Sequence, residues 1–291
     1  MDQSYIIATD SCSDLTQKQV TDMDIKIVPM SLEIKGNIYF HYPDERNLKI
    51  KDFYQMLREK EVATTSLINV GAFIEFFEPF LKEGKDILYI GFSSALSGTI
   101  QSAKIAADTL LDDYPDRQIE IIDSLAASMG LGLFVYYAYQ QAQTGATIKE
   151  VAAWLEEHKL NLIHLFTVDD LGTLKRGGRL SGAQALLGSL LKVKPVLHVT
   201  DEGKLVPIKK TRGRKSSLQT LVDMMKERIE DASKQTIFIS HGDDIEDATY
   251  TAELIKNAMD VKEIVFGNIG PVIGAHSGPG TIAVFFMGNL R

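Results

Sequence analysis

The stretch ILYIGFSSALSGT, residues 87–99, decides the fold class because it joins a strand to a helix through a polar turn. Ile87–Phe92 is a short apolar run, which is typical of a strand buried on both faces. Residues 93–99 then supply four hydroxyl side chains and one glycine, and helical apolar spacing runs over Thr99–Leu111. A strand, a turn and a helix in this order predict one unit of a parallel α/β sheet.

The alternation of strands and helices continues on both sides of this unit up to about residue 160. Predicted strands are Tyr5–Asp10, Ile25–Ile34 and Ile119–Asp123, and predicted helices are 52–61, 70–83, the apolar stretch Leu125–Tyr139 and Thr147–Lys159. In the last of these helices, Thr147 and Glu150 have the spacing of a capping box. The pattern predicts an N-terminal domain, residues 1–160, built around a parallel sheet.

The pattern changes after residue 160, where strands follow one another more closely. Val196–Thr200 and Leu205–Lys209 flank the polar loop DEGK and predict a hairpin. Further strands are predicted at Leu162–Val168, 236–240, 263–266 and 281–287, and helices at 181–191 and 215–230. A hairpin among later strands predicts a C-terminal α/β domain, residues 161–291, with a mixed or antiparallel sheet. The predicted fold class is therefore a two-domain α/β fold.

Composition and charge narrow the class of protein. The chain has 291 residues, 45% of them hydrophobic and 24% charged, as in globular proteins. Its net charge of −8 argues against nucleic acid or an anionic membrane as a partner, and its single cysteine, Cys12, excludes an internal disulfide. The most apolar stretch, Leu125–Tyr139, is shorter than the roughly 20 residues that span a bilayer, so we expect a buried helix and no integral membrane segment. Since the N-terminal residues lack the pattern of a signal peptide, we expect a cytoplasmic protein.

Two polar turns follow predicted strands and are candidates for a ligand site. The turn at 93–99 leads into a helix, whose free N–H groups and dipole favour an anion. Simple capping of that helix by Ser97 or Thr99 is the alternative. Ligands of open α/β sheets bind at the carboxyl ends of strands, so DSCSD, residues 10–14, is a candidate part of such a site. A turn with a helix cap is the alternative.

TTS, residues 64–66, by itself predicts a surface loop.

Two segments concentrate positive charge in this acidic chain. LKRGGRLS, residues 174–181, has three cations around a pair of glycines, and Lys209–Lys215 has five cations in seven residues. Such segments suit phosphate or an acidic protein surface, and a solvated basic loop is the alternative in each case. No aromatic residues are interleaved with the cations of the second segment, which argues against nucleic acid.

The glycine- and proline-rich stretch GPVIGAHSGPG, residues 270–280, is predicted to be a rigid loop that holds His276. A histidine in such a loop before a buried strand is a candidate ligand contact, and a structural histidine is the alternative. His241 has acidic neighbours, but no second His or Cys lies at ligand spacing, so no metal site is predicted.

Five segments in this order resemble the DegV family of fatty-acid-binding proteins. They are DSCSDL (10–15), TTS (64–66), SSALSGT (93–99), LKRGGRLSGAQALLGSLLKVKPVL (174–197) and GPVIGAHSGPG (270–280). The resemblance runs over the whole chain and implies a two-domain α/β fold with a lipid tunnel at the interdomain cleft. It also implies that the chain binds a long-chain fatty acid such as palmitate or oleate and has no cofactor. The implied role is in lipid transport or fatty acid metabolism, and the resemblance implies no catalysis by this chain.

The resemblance further implies roles for individual residues. The carboxylate contacts of the family fall on Thr65, Ser97 and His276, and Ser94, in the same turn as Ser97, is a further candidate. Members of one branch of the family present the bound acid to a separate kinase, which phosphorylates its carboxylate. The arginines that face the kinase and the phosphate fall on Arg179 and Arg212. We therefore expect these two arginines to serve transfer of the acid and not its binding.

Two enzymatic alternatives also fit parts of the sequence. Gly91–Ala95 follows a strand and resembles, with alanine in place of the last glycine, the nucleophile elbow of a serine hydrolase or esterase acting on an acyl substrate. Asp10 and His276 could complete its triad. A kinase acting alone would need a nucleotide-binding motif, and the chain contains no Gly-x4-Gly-Lys-Ser/Thr. A partner protein would therefore supply the nucleotide.

Overall fold

The computed structural model describes residues 4–181, 193–289 and 291. The strands form a four-stranded, a three-stranded and a six-stranded sheet. The first two sheets lie within residues 4–160, hereafter the N-terminal part, and the third lies within residues 161–291, hereafter the C-terminal part. The predicted helix 181–191 lies outside the described residues except for its first residue, Ser181.

The N-terminal part alternates strands and helices for most of its length. Its elements are β1 (Tyr5–Asp10), α1 (Gln17–Asp22), β2 (Lys26–Val28), β3 (Ser31–Ile34), β4 (Asn37–Phe40), α2 (Ile50–Arg58), β5 (Ala63–Ser66), α3 (Val70–Lys82), β6 (Asp86–Gly91), α4 (Thr99–Asp113), β7 (Ile119–Asp123), α5 (Met129–Gln143) and α6 (Ile148–His158). The capping box predicted for α6 is confirmed, because Thr147 and Glu150 exchange side-chain and backbone hydrogen bonds.

The four-stranded sheet confirms the predicted parallel α/β architecture. Its strand order is β2-β1-β6-β7, and every neighbouring pair is parallel. β6 and α4 coincide closely with the strand and the helix predicted between residues 87 and 111. Because β1 and β6 are parallel neighbours, the turns that follow them reach the same edge of the sheet.

The three-stranded antiparallel sheet, in the order β4-β3-β5, is absent from the sequence prediction. The predicted strand Ile25–Ile34 is in fact two strands, β2 and β3, which belong to different sheets. Pro29 lies between them, and proline has no N–H with which to continue a ladder. The expectation of a surface loop at residues 64–66 is wrong, because these residues form most of β5 and pair with β3.

The C-terminal part begins with a strand and ends with one. Its described elements are β8 (Leu162–Thr167), α7 (Leu171–Arg176), β9 (Val193–Val199), β10 (Leu205–Arg212), α8 (Arg214–Arg228), β11 (Thr236–His241), α9 (Ile245–Ala258), β12 (Glu263–Asn268), α10 (Pro271–Ser277) and β13 (Ile282–Met287). The strand order is β10-β9-β8-β13-β11-β12, in which β11 and β12 are parallel and the other neighbours are antiparallel. The predicted hairpin and the predicted mixed sheet are both confirmed.

Helix α10 occupies the stretch that was predicted to be a rigid loop. Its first residue is Pro271, whose fixed φ and missing N–H suit the first position of a helix. Its end is marked by Gly278, which has φ +80°. The loop prediction is wrong because the glycines of this stretch start and stop a short helix and permit close packing within it. α7 and α9 also have no counterpart among the predicted elements.

Helix α5 lies between the parallel sheet and the mixed sheet, where it contacts β1 and β6 on one side and β8, β11 and β13 on the other. Two glycines permit this close approach. A Cβ on Gly130 would lie 2.2 Å from His164 Nε2, and a Cβ on Gly132 would lie 2.7 Å from the Ser13 carbonyl oxygen. The prediction of a buried helix within Leu125–Tyr139 is confirmed. Across the described residues, every helix falls short of the length and apolarity needed to cross a membrane.

Candidate ligand-binding site

A cavity of about 230 Å³ is enclosed by residues from both parts of the chain. Most of its lining side chains are apolar. They are Met30, Leu67, Phe92, Leu96 and Ala127 from the N-terminal part, and Phe166, Leu174, Val199, Leu205, Ile269, Val272, Ile273, Ala283 and Phe285 from the C-terminal part. Walls of this composition suit an apolar ligand or the apolar portion of an amphiphile.

Four polar residues stand where this cavity meets an outer cleft of about 760 Å³. Thr65, Arg179, His276 and Ser277 line both spaces, and together they are hereafter the throat. Three segments bring them together, because Thr65 belongs to β5, Arg179 follows α7, and the other two end α10. An amphiphile with its apolar portion in the cavity would have its polar end at the throat.

Thr65 and His276 are joined by a hydrogen bond of 2.8 Å between Thr65 Oγ1 and His276 Nε2. Burial lowers the pKa of His276 to about 4, and the positive charge of Arg179 acts in the same direction. The imidazole is therefore neutral at pH 7 and carries a single N–H. Its Nδ1 faces Gly177, where an added Cβ would lie 2.4 Å away. The ring is thus held between β5 and the residues that follow α7.

The hydroxyl-rich turn after β6 contains residues in different surroundings. Ser97 is half-buried and lines the cavity, and its Oγ lies 2.9 Å from Thr99 Oγ1. It also accepts a hydrogen bond of 3.3 Å from the Thr99 N–H at the start of α4. Ser93 is fully buried and donates its hydroxyl to a backbone carbonyl. Ser94 is exposed and lines neither the cavity nor the outer cleft, so its selection as a carboxylate contact has no support in the geometry.

The two arginines singled out in the sequence lie in different places. Arg179 is half-buried at the throat, where its Nε donates to Leu96 O at 3.2 Å and its Nη1 donates to Gly177 O at 2.8 Å. Two backbone carbonyls therefore fix the guanidinium beside the cavity. Arg212 is the last residue of the edge strand β10, is exposed, and lines neither the cavity nor the outer cleft.

Ser277 is a throat residue for which the sequence predicts no role. It is 6% exposed, and its Oγ makes no hydrogen bond to another described residue. Because Ser277 also lines the cavity, its hydroxyl is available to a polar atom of a ligand there. The one feature of the sequence that could have indicated Ser277 is its position directly after His276.

The structure does not assemble the triad of the serine hydrolase alternative. Ser93 is enclosed and donates to a backbone carbonyl. Asp10 is also fully buried, and it accepts hydrogen bonds from the Tyr89 hydroxyl and from two backbone N–H groups. His276 bonds to Thr65 instead. Within the described residues, each of the three candidate triad members is therefore engaged with a group outside the triad.

The fold and the site together define a class of protein, an α/β protein that encloses an apolar cavity between its two parts and gathers polar side chains at the opening. A family model described as "Uncharacterised protein, DegV family" matches residues 4–289. The chain belongs to the DegV family.

Relatives are similar over nearly the whole chain. A DegV domain-containing protein of Clostridium perfringens is 46% identical over 289 residues, with 99% of each chain covered. The solved structure of a DegV family protein from Thermus thermophilus, described by its fatty acid binding, has a TM-score of 0.89 at 30% identity and covers 98% of this chain and 100% of that chain. A stearic acid-binding protein from Eubacterium ventriosum has a TM-score of 0.86 at 25% identity, with 97% and 98% covered. These similarities confirm the predicted DegV-like α/β fold.

Proposed function

We propose that this protein binds one long-chain fatty acid, with the acyl chain in the cavity and the carboxylate at the throat. The observation that carries the proposal is the position of the four throat residues on the boundary between the cavity and the outer cleft. Apolar walls and a polar opening match the two ends of such an acid. The relatives described as binding fatty acid or stearic acid support the same class of ligand.

The balance of free energies favours this arrangement. Burying about 15 methylenes contributes roughly 12 kcal/mol before the costs of association, at about 0.8 kcal/mol each. Burying an unpaired carboxylate would offset several kcal/mol of this gain. The hydroxyls of Thr65, Ser97 and Ser277 can donate to the carboxylate, and Arg179 supplies the opposite charge. Neutral His276 can donate its one N–H either to the acid or to Thr65, whose hydroxyl is then free to donate.

We propose further that the bound acid is presented to a separate kinase and is not modified by this chain. The outer cleft would give the partner access to the carboxylate, because the throat residues line that cleft as well. Lys60 and Arg176 also line the cleft and add positive charge where an acyl phosphate would form. Exposed Arg212, outside the cleft, would meet an acidic surface of the kinase. In this proposal the parts 1–160 and 161–291 act as two domains of a cytoplasmic carrier in lipid transport or fatty acid metabolism.

Mass spectrometry of lipid extracted from the purified protein tests the proposal, and one fatty acid per chain is the expected result. Delipidated protein should then show a rising Tm with added palmitate or oleate, because a ligand that binds only the folded state stabilises it. Hexadecanol, which has the same chain without a carboxylate, is the control and should stabilise less. Release of no acid, together with no stabilisation by either acid, would refute the proposal.

A further inference from the structure

The start of α10, the helix that carries two throat residues, is held by two buried side chains from the N-terminal part. Tyr54 in α2 donates its hydroxyl to Ile269 O at 2.9 Å. Asp14, in the turn after β1, accepts a hydrogen bond of 2.9 Å at Oδ1 from the Gly270 N–H. Tyr54 is 0% and Asp14 is 5% exposed, and neither lines the cavity. Direct contact with a ligand therefore does not account for them.

Asp14 also connects this junction to the cavity wall. Its other carboxyl oxygen accepts a hydrogen bond from the Ser128 hydroxyl, and Ser128 Oγ lies 3.0 Å from Ser240 Oγ in β11. Ser128 lines the cavity immediately before α5 and has φ 53° and ψ −148°. Residues other than glycine rarely adopt this backbone conformation, which persists where surrounding contacts impose it. The hydrogen bonds to Asp14 and Ser240 are contacts of this kind.

Close packing restricts α10 at the same end. A Cβ on Gly270 would lie 2.0 Å from His41 Cε1, and a Cβ on Gly274 would lie 2.7 Å from Tyr54 Oη. The helix therefore packs directly on α2 and on the turn after β1. Its opposite end carries His276, so the position of α10 at its start determines where that imidazole lies at the throat.

We propose that Asp14 and Tyr54 are positioning residues that fix α10 against the N-terminal part and thereby set the distance between His276 and Thr65. The proposal rests on the fatty acid site proposed above, and it gives the DSCSD turn a role distinct from ligand contact. Thr65 belongs to the N-terminal part and His276 to the C-terminal part. A shift of α10 by roughly 1 Å away from β5 would lengthen their hydrogen bond beyond the normal range.

The electrostatics around Asp14 indicate which variants are informative. Burial raises the pKa of Asp14 to about 8, and the nearby charge of Asp10 acts in the same direction. The Asp14 carboxyl therefore binds its proton more tightly than an ordinary carboxyl does, and asparagine is its closest neutral replacement. The other titratable groups that face it are Cys12 on the same turn, Tyr54 in α2, and His41 beside Gly270.

Four variants and two measurements test the proposal. The variants are Asp14→Ala, Asp14→Asn, Tyr54→Phe and, as the control, Tyr89→Phe. Tyr89 is as buried as Tyr54, but its hydroxyl donates to Asp10 within the N-terminal part and does not reach α10. The measurements are palmitate affinity by titration calorimetry and the pKa of His276 by NMR in the unliganded protein.

We expect Asp14→Ala to weaken palmitate binding by about tenfold or more, Tyr54→Phe to weaken it by a smaller factor, and Asp14→Asn to restore it. In the first two variants the pKa of His276 should rise toward its ordinary value of 6.5, because a displaced ring regains contact with water. Tyr89→Phe should change neither quantity.

Wild-type affinity together with an unchanged His276 pKa in Asp14→Ala and Tyr54→Phe would overturn the proposal, as would equal losses in Tyr89→Phe. If Asp14→Ala does not fold, unchanged values in Tyr54→Phe alone overturn it. If the wild-type protein binds no palmitate, the ligand assignment fails, but the NMR titration of the unliganded variants still decides whether Asp14 and Tyr54 position α10.

Discussion

Thr65 Oγ1 and His276 Nε2 form a hydrogen bond of 2.8 Å although 211 positions separate the two residues in the chain. Thr65 belongs to the three-stranded sheet, and His276 belongs to α10 in the C-terminal part. Their bond therefore joins the two parts at the opening of the cavity. A carboxylate at the throat could accept a hydrogen bond from Thr65, or from His276 in place of the bond between the two, so the bound acid would itself contact both parts of the chain.

Removing one hydrogen-bonding side chain beside the carboxylate should weaken fatty acid binding while the fold survives. Thr65→Ala, Ser97→Ala and His276→Ala each remove a donor. A hydrogen bond to a charged group contributes about 1.5–3 kcal/mol, which corresponds to roughly a tenfold to hundredfold loss of palmitate affinity. Calorimetric titration measures the loss, and Ser94→Ala is the control because Ser94 lies in the same turn as Ser97 but outside the cavity lining. Wild-type affinity in all three variants would place the carboxylate elsewhere.

Ser277→Ala should weaken palmitate binding without destabilising the unliganded protein. The buried Ser277 Oγ has no partner among the described residues, and an unpaired buried polar group costs about 1–3 kcal/mol. We therefore expect the Tm of the unliganded variant to equal or exceed that of the wild type, while the affinity falls by about tenfold.

The control for Ser277 is Ser217→Ala in α8. Ser217 is also fully buried, but its Oγ donates to Arg214 O at 2.7 Å. This variant should lower the Tm and leave palmitate affinity unchanged, which is the opposite pattern. If Ser277→Ala behaves like Ser217→Ala, the Ser277 hydroxyl is structural and does not contact the ligand.

Asp14 should make the stability of the protein depend on pH. Burial raises its pKa from 3.8 to about 8, so the folded chain binds this proton more tightly than the unfolded chain does. The resulting stabilisation is fully present below about pH 3.8 and is lost as the pH rises through about 8. Asp14→Asn cannot lose a proton, so its free energy of unfolding relative to wild type should increase from pH 6 to pH 9.

Urea unfolding at the two pH values measures this difference in the free energy of unfolding. The contributions of the other titrating groups largely cancel, because both proteins contain them. Asp108→Asn, on an exposed position of α4, controls for the change in net charge and should show no such trend. A constant difference between wild type and Asp14→Asn at both pH values would show that burial does not raise the pKa of Asp14 into or above this range.

The parts of the fold that are determined by neighbouring residues could be predicted from the sequence. β6 and α4 are an apolar run followed by helical spacing, and the start of α6 is a capping box whose two members, Thr147 and Glu150, are three positions apart. The parallel sheet follows from repetition of such units. In each case the pattern that identifies the element lies within one short segment, so the spacing of its residues carries the information.

The throat could be predicted only in part, because its geometry depends on contacts between distant segments. The three-stranded sheet that holds Thr65 forms from strands of four residues each, and β5, which carries Thr65, pairs with β3 across a long stretch of intervening chain. The glycines at 270 and 274 favour a loop in the sequence prediction. In the structure they serve close packing, because a Cβ at Gly270 would collide with His41 and a Cβ at Gly274 would collide with Tyr54. Motif resemblance selected four residues that line the cavity, Thr65, Ser97, Arg179 and His276, whereas the missing partner of Ser277 Oγ is visible only in the folded chain.

Arg179→Ala should weaken palmitate binding by about tenfold, in contrast to the expectation from sequence that Arg179 serves transfer alone. The reason is its place at the throat, where bonds to two backbone carbonyls hold its positive charge beside the cavity. Arg176→Ala is the control, because the Arg176 side chain is 69% exposed and lines the outer cleft only. Equal affinities of the two variants in calorimetric titration would mean that the Arg179 charge does not act on the acid.

If the acid is presented to a kinase as proposed, Arg212→Ala should leave palmitate affinity unchanged and slow the phosphorylation of the bound acid. Arg212 is exposed on the edge strand β10 and lies within the cationic run Lys209–Lys215 of an otherwise acidic chain, so its charge is available to an acidic surface but not to the cavity. Attraction between opposite charges speeds association and is screened by salt. The rate of acyl phosphate formation, measured with a candidate kinase from the same organism, should therefore fall at low salt and depend less steeply on salt concentration than the wild-type rate. Lys18→Ala, which removes an exposed cation from α1, is the control and should leave the rate and its salt dependence unchanged. If Arg212→Ala matches that control, the cationic run on β10 is a solvated surface and the kinase docks elsewhere.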